Sequence, residues 1–169
     1  NARLFEQAQQ EIAERKQAQK IQEAAYKISE AVHSAEDLQS LFALIHTIIC
    51  ELMPTDNFYI ALCDQETNMV SFPYYADEHG VLVTKRPGRG VTEYVLRSGK
   101  PLLAPPEVID ELAKKGEIVL IGAVSVDWLG VPLKTDDTTF GVLAVQTYSE
   151  DVRLQERDKD ILIFISNQI

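Results

Sequence analysis

The residue types best suited to covalent, redox or metal chemistry are few: two cysteines, Cys50 and Cys63, and three histidines, His33, His46 and His79. Cys50 falls on a predicted helix and Cys63 on a predicted strand, both in apolar surroundings, where burial is the simplest role for a thiol. The pair does not indicate a disulfide scaffold, and a reducing cytosol suits it. His33 lies near a helix end, where a charged imidazole would favour the helix dipole. His46 lies away from the apolar stripe of its helix, and His79 lies in a polar loop. A metal site needs clustered ligands at defined spacing, and this pattern has none, so no metal is expected. The glycines around Arg89 lack the preceding strand and the third glycine of a dinucleotide fingerprint.

Charge narrows the partners. The formal net charge is -10, which repels phosphate backbones and anionic lipid surfaces unless a basic patch overrides it. The densest basic cluster, Lys85, Arg86 and Arg89, is diluted by Pro87 and two glycines. Nucleic acid and direct membrane contact are therefore not expected. The apolar runs, such as Ile161 to Ile165, are too short for a membrane span, and the N-terminus lacks a signal-peptide pattern. The chain is expected to be a cytoplasmic segment of a longer protein that could itself be membrane-anchored.

A composition of 46% hydrophobic and 25% charged residues over 169 positions is that of a folded domain with an appendage. The appendage is residues 1–35. Its Glu, Gln, Ala, Lys and Arg content, without glycine or proline, predicts an exposed helix about 50 Å long. Ala18, Ile21, Ala25, Ile28, Val32 and Ala35 alternate spacings of three and four, the seam of a coiled coil. Phe5, Ala8 and Ile12 fit a seam one position out of step, which implies local over- or underwinding, or pairing of one stretch alone. The alternative is an amphipathic helix packed on its own domain.

Residues 36–169 supply the domain. Ser34 followed by Asp37 resembles a capping box that starts a second helix, with Leu38, Leu41, Phe42, Ile45, Ile48, Ile49 and Leu52 as a wide apolar stripe. Asn57 to Cys63 alternates as a strand, with Phe58, Ile60 and Leu62 on one face. Met69 to Tyr75 makes a second strand, placed at a sheet edge by Pro73. A polar loop, Asp77 to Arg89, precedes a short helix from about Gly90 to Ser98, with Gly99 set to take a left-handed conformation at its end. Leu102 to Ala104 reads as a brief strand, and Pro105 and Pro106 open a helix closed by Gly116. Trp128 to Leu133 and Thr139 to Tyr148 read as an antiparallel hairpin. Gln155 to Ile169 returns to helical spacing. The sum is an α+β domain with helices covering one face of an antiparallel sheet.

Three segments in this order resemble the GAF family of small sensory domains: GRGVTEYVLRSGKPLL at Gly88–Leu103, DWLGVPLKTDDTTFGVLAVQTY at Asp127–Tyr148, and the acidic turn and helix at Glu150–Ile169. With NFYIALCD they span about residues 36–169. The resemblance implies a PAS-related sheet of five to six strands. The segment NARLFEQAQQEIAERKQAQ is similar to the connector helices that precede GAF or PAS domains in bacterial histidine kinases and related sensors such as diguanylate cyclases. It implies a homodimer through the terminal helices, linked to upstream and downstream domains of the same chain.

The resemblance also implies a small-molecule pocket between the sheet and the loops above it. Tyr59, Phe72, Tyr74, Tyr94 and Trp128 are candidate walls, with Arg89 and Asp127 as orienting polar groups; ordinary core and rim roles are the alternative. The Asn, Lys, Phe, Asp and Glu constellation of cyclic-nucleotide binders has no counterpart here. Bilin-binding members carry a pocket cysteine, usually followed by histidine, whereas Cys50 precedes Glu51 and Cys63 precedes Asp64. Neither bilin nor haem is expected. The thiol reductases of free methionine sulfoxide on this fold use several convergent cysteines, which two cysteines in a helix and a strand do not supply. The expectation is a non-catalytic regulatory module, with a ligand-free dimerisation spacer and a small thiol enzyme as rivals.

Overall fold

The computed structural model describes every residue except Val81 and Ala123. Helices α1 (Ala2–Ser34) and α2 (Leu38–Leu52) lead into strands β1 (Asn57–Asp64) and β2 (Met69–Ala76). Helix α3 (Val91–Ser98), strand β3 (Leu102–Ala104) and helix α4 (Pro106–Lys114) follow, then β4 (Asp127–Thr135), β5 (Thr138–Thr147) and α5 (Glu156–Ser166). The five strands form one antiparallel sheet in the order β2-β1-β5-β4-β3. This is the α+β architecture the periodicities predict, with β2 at an edge as Pro73 requires.

Alternation along the central strands sends two kinds of side chain to the two faces. Phe58, Ile60, Leu129, Val131, Leu143 and Val145 point to one face, where α2, α5 and the second half of α1 bury them. Tyr59, Ala61, Trp128, Val142 and Ala144 point to the other, beneath α3 and α4. The helical layer is therefore thick on one face, and two short helices with long loops cover the other. Gly130 is the position where close approach decides the residue. The indole of Trp128 lies over it so closely that a β-carbon there would collide with the ring.

Local signals set the boundaries. Gly99 ends α3 at φ 62°, the left-handed conformation that glycine adopts without steric cost. Gln155 and Asp158 form a capping box at the start of α5. The cap expected from Ser34 is corrected: Asp37 caps α2, accepting the Ser40 amide at 2.8 Å, while Ser34 still belongs to α1 and bonds back to the Glu30 carbonyl.

The seam of α1 has a partner within the chain. Ile28 is 0% exposed, Ala24 and Ala25 are buried, and Ile21 and Val32 pack on the same core. The helix lies against α2 and α5. Of the candidate dimer seam Ala18, Ile21, Ala25, Ile28 and Val32, all but Ala18, which is exposed, turn toward their own domain. The apolar stripes of α2 and α5 need cover, and the nearest helical turns supply it.

Candidate functional site

A cavity of about 350 Å³ lies between the sheet and the layer of α3, α4 and loops. On this face of the sheet Ala61 and Ala144 are small, and the Trp128 indole lies over Gly130. Tyr59, Tyr75 and Trp128 form the aromatic floor. Gly90 to Glu93 at the start of α3 make one wall, and Ile109 with Ile118 to Gly122 makes another. His79, Leu82 and Lys85 come from the loop after β2, and Gln146 and Tyr148 from the end of β5.

The floor is held by a chain of hydrogen bonds. The Trp128 indole Nε1 donates to the Tyr59 hydroxyl at 2.9 Å, and that hydroxyl pairs with Thr92 Oγ1 at 2.8 Å. Burial pushes the Tyr59 phenol well above its usual value, so it stays neutral and serves as a hinge between sheet and α3. At the rim, Asp77 accepts from the Tyr148 hydroxyl at 2.9 Å and from Gln146 Nε2, fastening the loop after β2 to β5. Burial, and then this contact with Asp77, raise the Tyr148 phenol too.

Glu93 is the buried charge of the cavity lining. Its side chain is 3% exposed, paired with Lys85 Nζ at 3.1 Å and receiving the Gly88 amide at 3.2 Å. Burial works against its ionisation, but its own backbone amide, Lys85 and Gly88 outweigh this and hold the carboxyl below its usual range. It is ionised at neutral pH.

The expected pocket residues separate. Tyr59 and Trp128 line the cavity. Phe72 packs beside them against Tyr59 and Tyr75, while Tyr94 joins the same apolar cluster from α3. Tyr74 lies on the opposite face against Phe42, His46 and Phe58, with its hydroxyl 2.9 Å from His46 Nδ1. The cause is a β-bulge: Ile60 pairs with Tyr74 but Leu62 pairs with Ser71, so the extra residue near Phe72 and Pro73 reverses the alternation and delivers Tyr75 to the cavity. Arg89 reaches the Gly116 carbonyl and ties two loops together. Tyr75, Glu93, Tyr148 and the apolar residues from Ile118 to Gly122 are cavity residues the sequence analysis missed. The bulge hides Tyr75, and no regular period marks the others.

Asp127 is a clamp and not a pocket group. It is buried at the start of β4, takes both Nε and Nη2 of Arg153 at 2.9 and 3.0 Å, and accepts the Leu154 amide at 2.7 Å. It thus fixes the segment entering α5. Asp127→Ala should cost about 2 kcal/mol, because a buried amide loses its acceptor. Urea unfolding followed by circular dichroism measures this, and Asp127→Asn should recover part of it.

Among the described residues no group of three or more His, Cys, Asp or Glu is placed to hold a metal, and no helix is long and apolar enough to cross a membrane.

A five-stranded antiparallel sheet thus carries a cavity beneath short helices and long loops on one face and a layer of longer helices on the other. The sequence model of the GAF domain family matches residues 35–169, and the chain belongs to that family. No curated protein sequence gives a significant match. Among solved structures, the chain is similar to a putative GAF sensor protein from Burkholderia vietnamiensis, with a TM-score of 0.70 at 16% identity over 90% of this chain and 92% of that one. It is similar to the nlh2 GAF domain of A. aeolicus in an inactive state, with a TM-score of 0.65 at 14% identity over 90% and 94% of the two chains. It is also similar to the free methionine-R-sulfoxide reductase of Neisseria meningitidis in complex with its substrate, with a TM-score of 0.67 at 16% identity over 88% and 84%. At these identities the likeness is one of fold.

Proposed function

We propose that the chain is a non-catalytic sensory module that binds a small molecule in the cavity over Tyr59 and Trp128 and passes the change through its terminal helices to a neighbouring domain. The observation that carries this reading is the cavity itself, of a size suited to a small organic ligand, aromatic on its floor and polar at its rim. Leu82, Leu120, Ile121 and Val124 line it from exposed loop positions, apolar side chains whose hydration a bound ligand would relieve. The domain belongs to a larger cytoplasmic signalling protein of bacterial type, with a histidine kinase or diguanylate cyclase as effector.

The relay rests on α1. Its second half packs on α2 and α5, whereas Leu4, Phe5 and Ile12 in its first half are exposed in the single chain. A lone segment of this length is marginal in water, so a second copy pairing along Phe5, Ala8 and Ile12 is the fitting partner. The one-residue step between the two seams then marks a change of partner, from the sister helix to the domain. Residues 1–35 act as connector and residues 36–169 as receiver.

Cys50 and Cys63 give the thiol-enzyme alternative little support. Cys50 is exposed and Cys63 half-buried, which corrects the burial expected of both, but partial desolvation still raises the two thiols above their usual values, with Asp56 adding to it at Cys50 and Asp64 at Cys63. Protonated thiols are weak nucleophiles. Maleimide labelling of the folded protein at neutral pH should therefore run more slowly at both positions than for a free cysteine; faster labelling would favour the enzyme.

Native mass spectrometry of the protein isolated without denaturation tests the sensory reading. A non-covalent small-molecule adduct supports it. A bare mass, together with a collapsed cavity in a crystal structure, favours a dimerisation spacer.

A further inference from the structure

The glycine-flanked start of α3 is shaped around one carboxylate. Gly88 lies under Glu93 Oε1, with a β-carbon there 3.6 Å away, and at Gly90 a β-carbon would come within 2.8 Å of Oε2. A side chain at Gly90 would push Oε2 out of this position, whereas one at Gly88 would make only ordinary contact. The bonds from Lys85 and Gly88 both fall on Oε1. Oε2 lies over Gly90, beside the cavity that Gly90 and Glu93 both line.

This arrangement bears on what the cavity accepts. A helix N-terminus ordinarily favours an anion, but Glu93, in the first turn of α3, already sets a carboxylate beside it. Lys85, the lysine of the lining, is spent on Glu93. Arg97 is bound to the carbonyls of Gly88 and Glu117, as Arg89 is to that of Gly116, and His79 is paired with Glu78. At the rim, Asp77 adds a second carboxylate. An entering carboxylate or phosphate would lose its hydration and meet negative charge with no unpaired cation among the described lining residues. A flat N–H donor would instead stack on the aromatic floor and reach Oε2.

Resting on the reading of the cavity as a ligand site, we propose that it selects planar nitrogen compounds, cationic or neutral N–H donors, with Glu93 as their acceptor, and rejects carboxylates and phosphates of the same shape. Trp128 is the sole tryptophan of the chain and part of the floor, so its emission reports occupancy directly.

Benzamidine, benzamide and benzoate form a matched set that differs in charge and donor count on one ring. Titrated against the whole chain, benzamidine should bind at least about tenfold more tightly than benzoate, the worth of one charge-assisted hydrogen bond. Glu93→Gln should abolish that preference. Lys85→Met, which leaves Glu93 uncompensated, should tighten benzamidine; a purely structural ion pair would instead weaken every probe, so this variant carries the test if Glu93→Gln does not fold. Benzoate binding as tightly as benzamidine, or a preference unchanged by Glu93→Gln, overturns the selectivity while leaving the ligand site standing. Silence of Trp128 toward all three compounds removes both.

Discussion

Trp128→Ala should cost the domain about 4 kcal/mol, the range of a fully buried aromatic truncated in a core. The indole is 1% exposed, covers Gly130 and donates to Tyr59. Its loss opens a void in the floor and removes one of the two hydrogen bonds that fix the Tyr59 hydroxyl. Trp128→Phe keeps most of the apolar volume and gives up the N–H donor, so about 1 kcal/mol is expected beyond the change in packing. Urea unfolding followed by circular dichroism measures both. A comparable loss for the two variants would mean that the hydrogen bond, and not the ring, holds the floor.

The second large effect is expected on the other side of the sheet. Ile28→Ala, at a position 0% exposed between α1 and the helical layer, should lower stability by about 3 kcal/mol. Ile12→Ala, at a position 55% exposed, should leave the unfolding of the domain within about 0.5 kcal/mol. If a second copy pairs along the first half of α1, Ile12→Ala nevertheless lowers the dimer fraction in sedimentation equilibrium. The two substitutions thus separate the attachment of the helix to its own domain from its pairing with a sister chain. A loss of domain stability at Ile12 equal to that at Ile28 would contradict the division of the helix into two halves.

Much of the fold was legible because its signals are local or strictly periodic. The stripe from Leu41 to Ile49, the alternation in β1, Pro73 at an edge, the left-handed Gly99 and the β4-β5 hairpin each follow from a short stretch of chain. The site was harder. Phe72 and Tyr74 share a face only if β2 is regular, and the bulge breaks that rule at one residue. Asp127 has the chemistry of a ligand group, but Arg153, 26 positions later, claims both its oxygens. The run from Ile118 to Gly122 forms neither helix nor strand, so periodicity says nothing of its place beside the cavity. The seam of α1 shows the same limit: spacing reveals that a face is apolar, and only tertiary structure reveals what covers it.

In the proposed relay, a cavity on one face of the sheet acts on a helical rod on the other. Hydrogen exchange of the backbone amides of Ile21–Val32 in α1, compared with and without the small molecule that saturates the Trp128 cavity, tests that connection most directly. The predicted result is altered protection in this stretch of α1 together with the loops around the cavity. Changes confined to residues 77–90 and 115–126, with α1 exchanging as before, would contradict it.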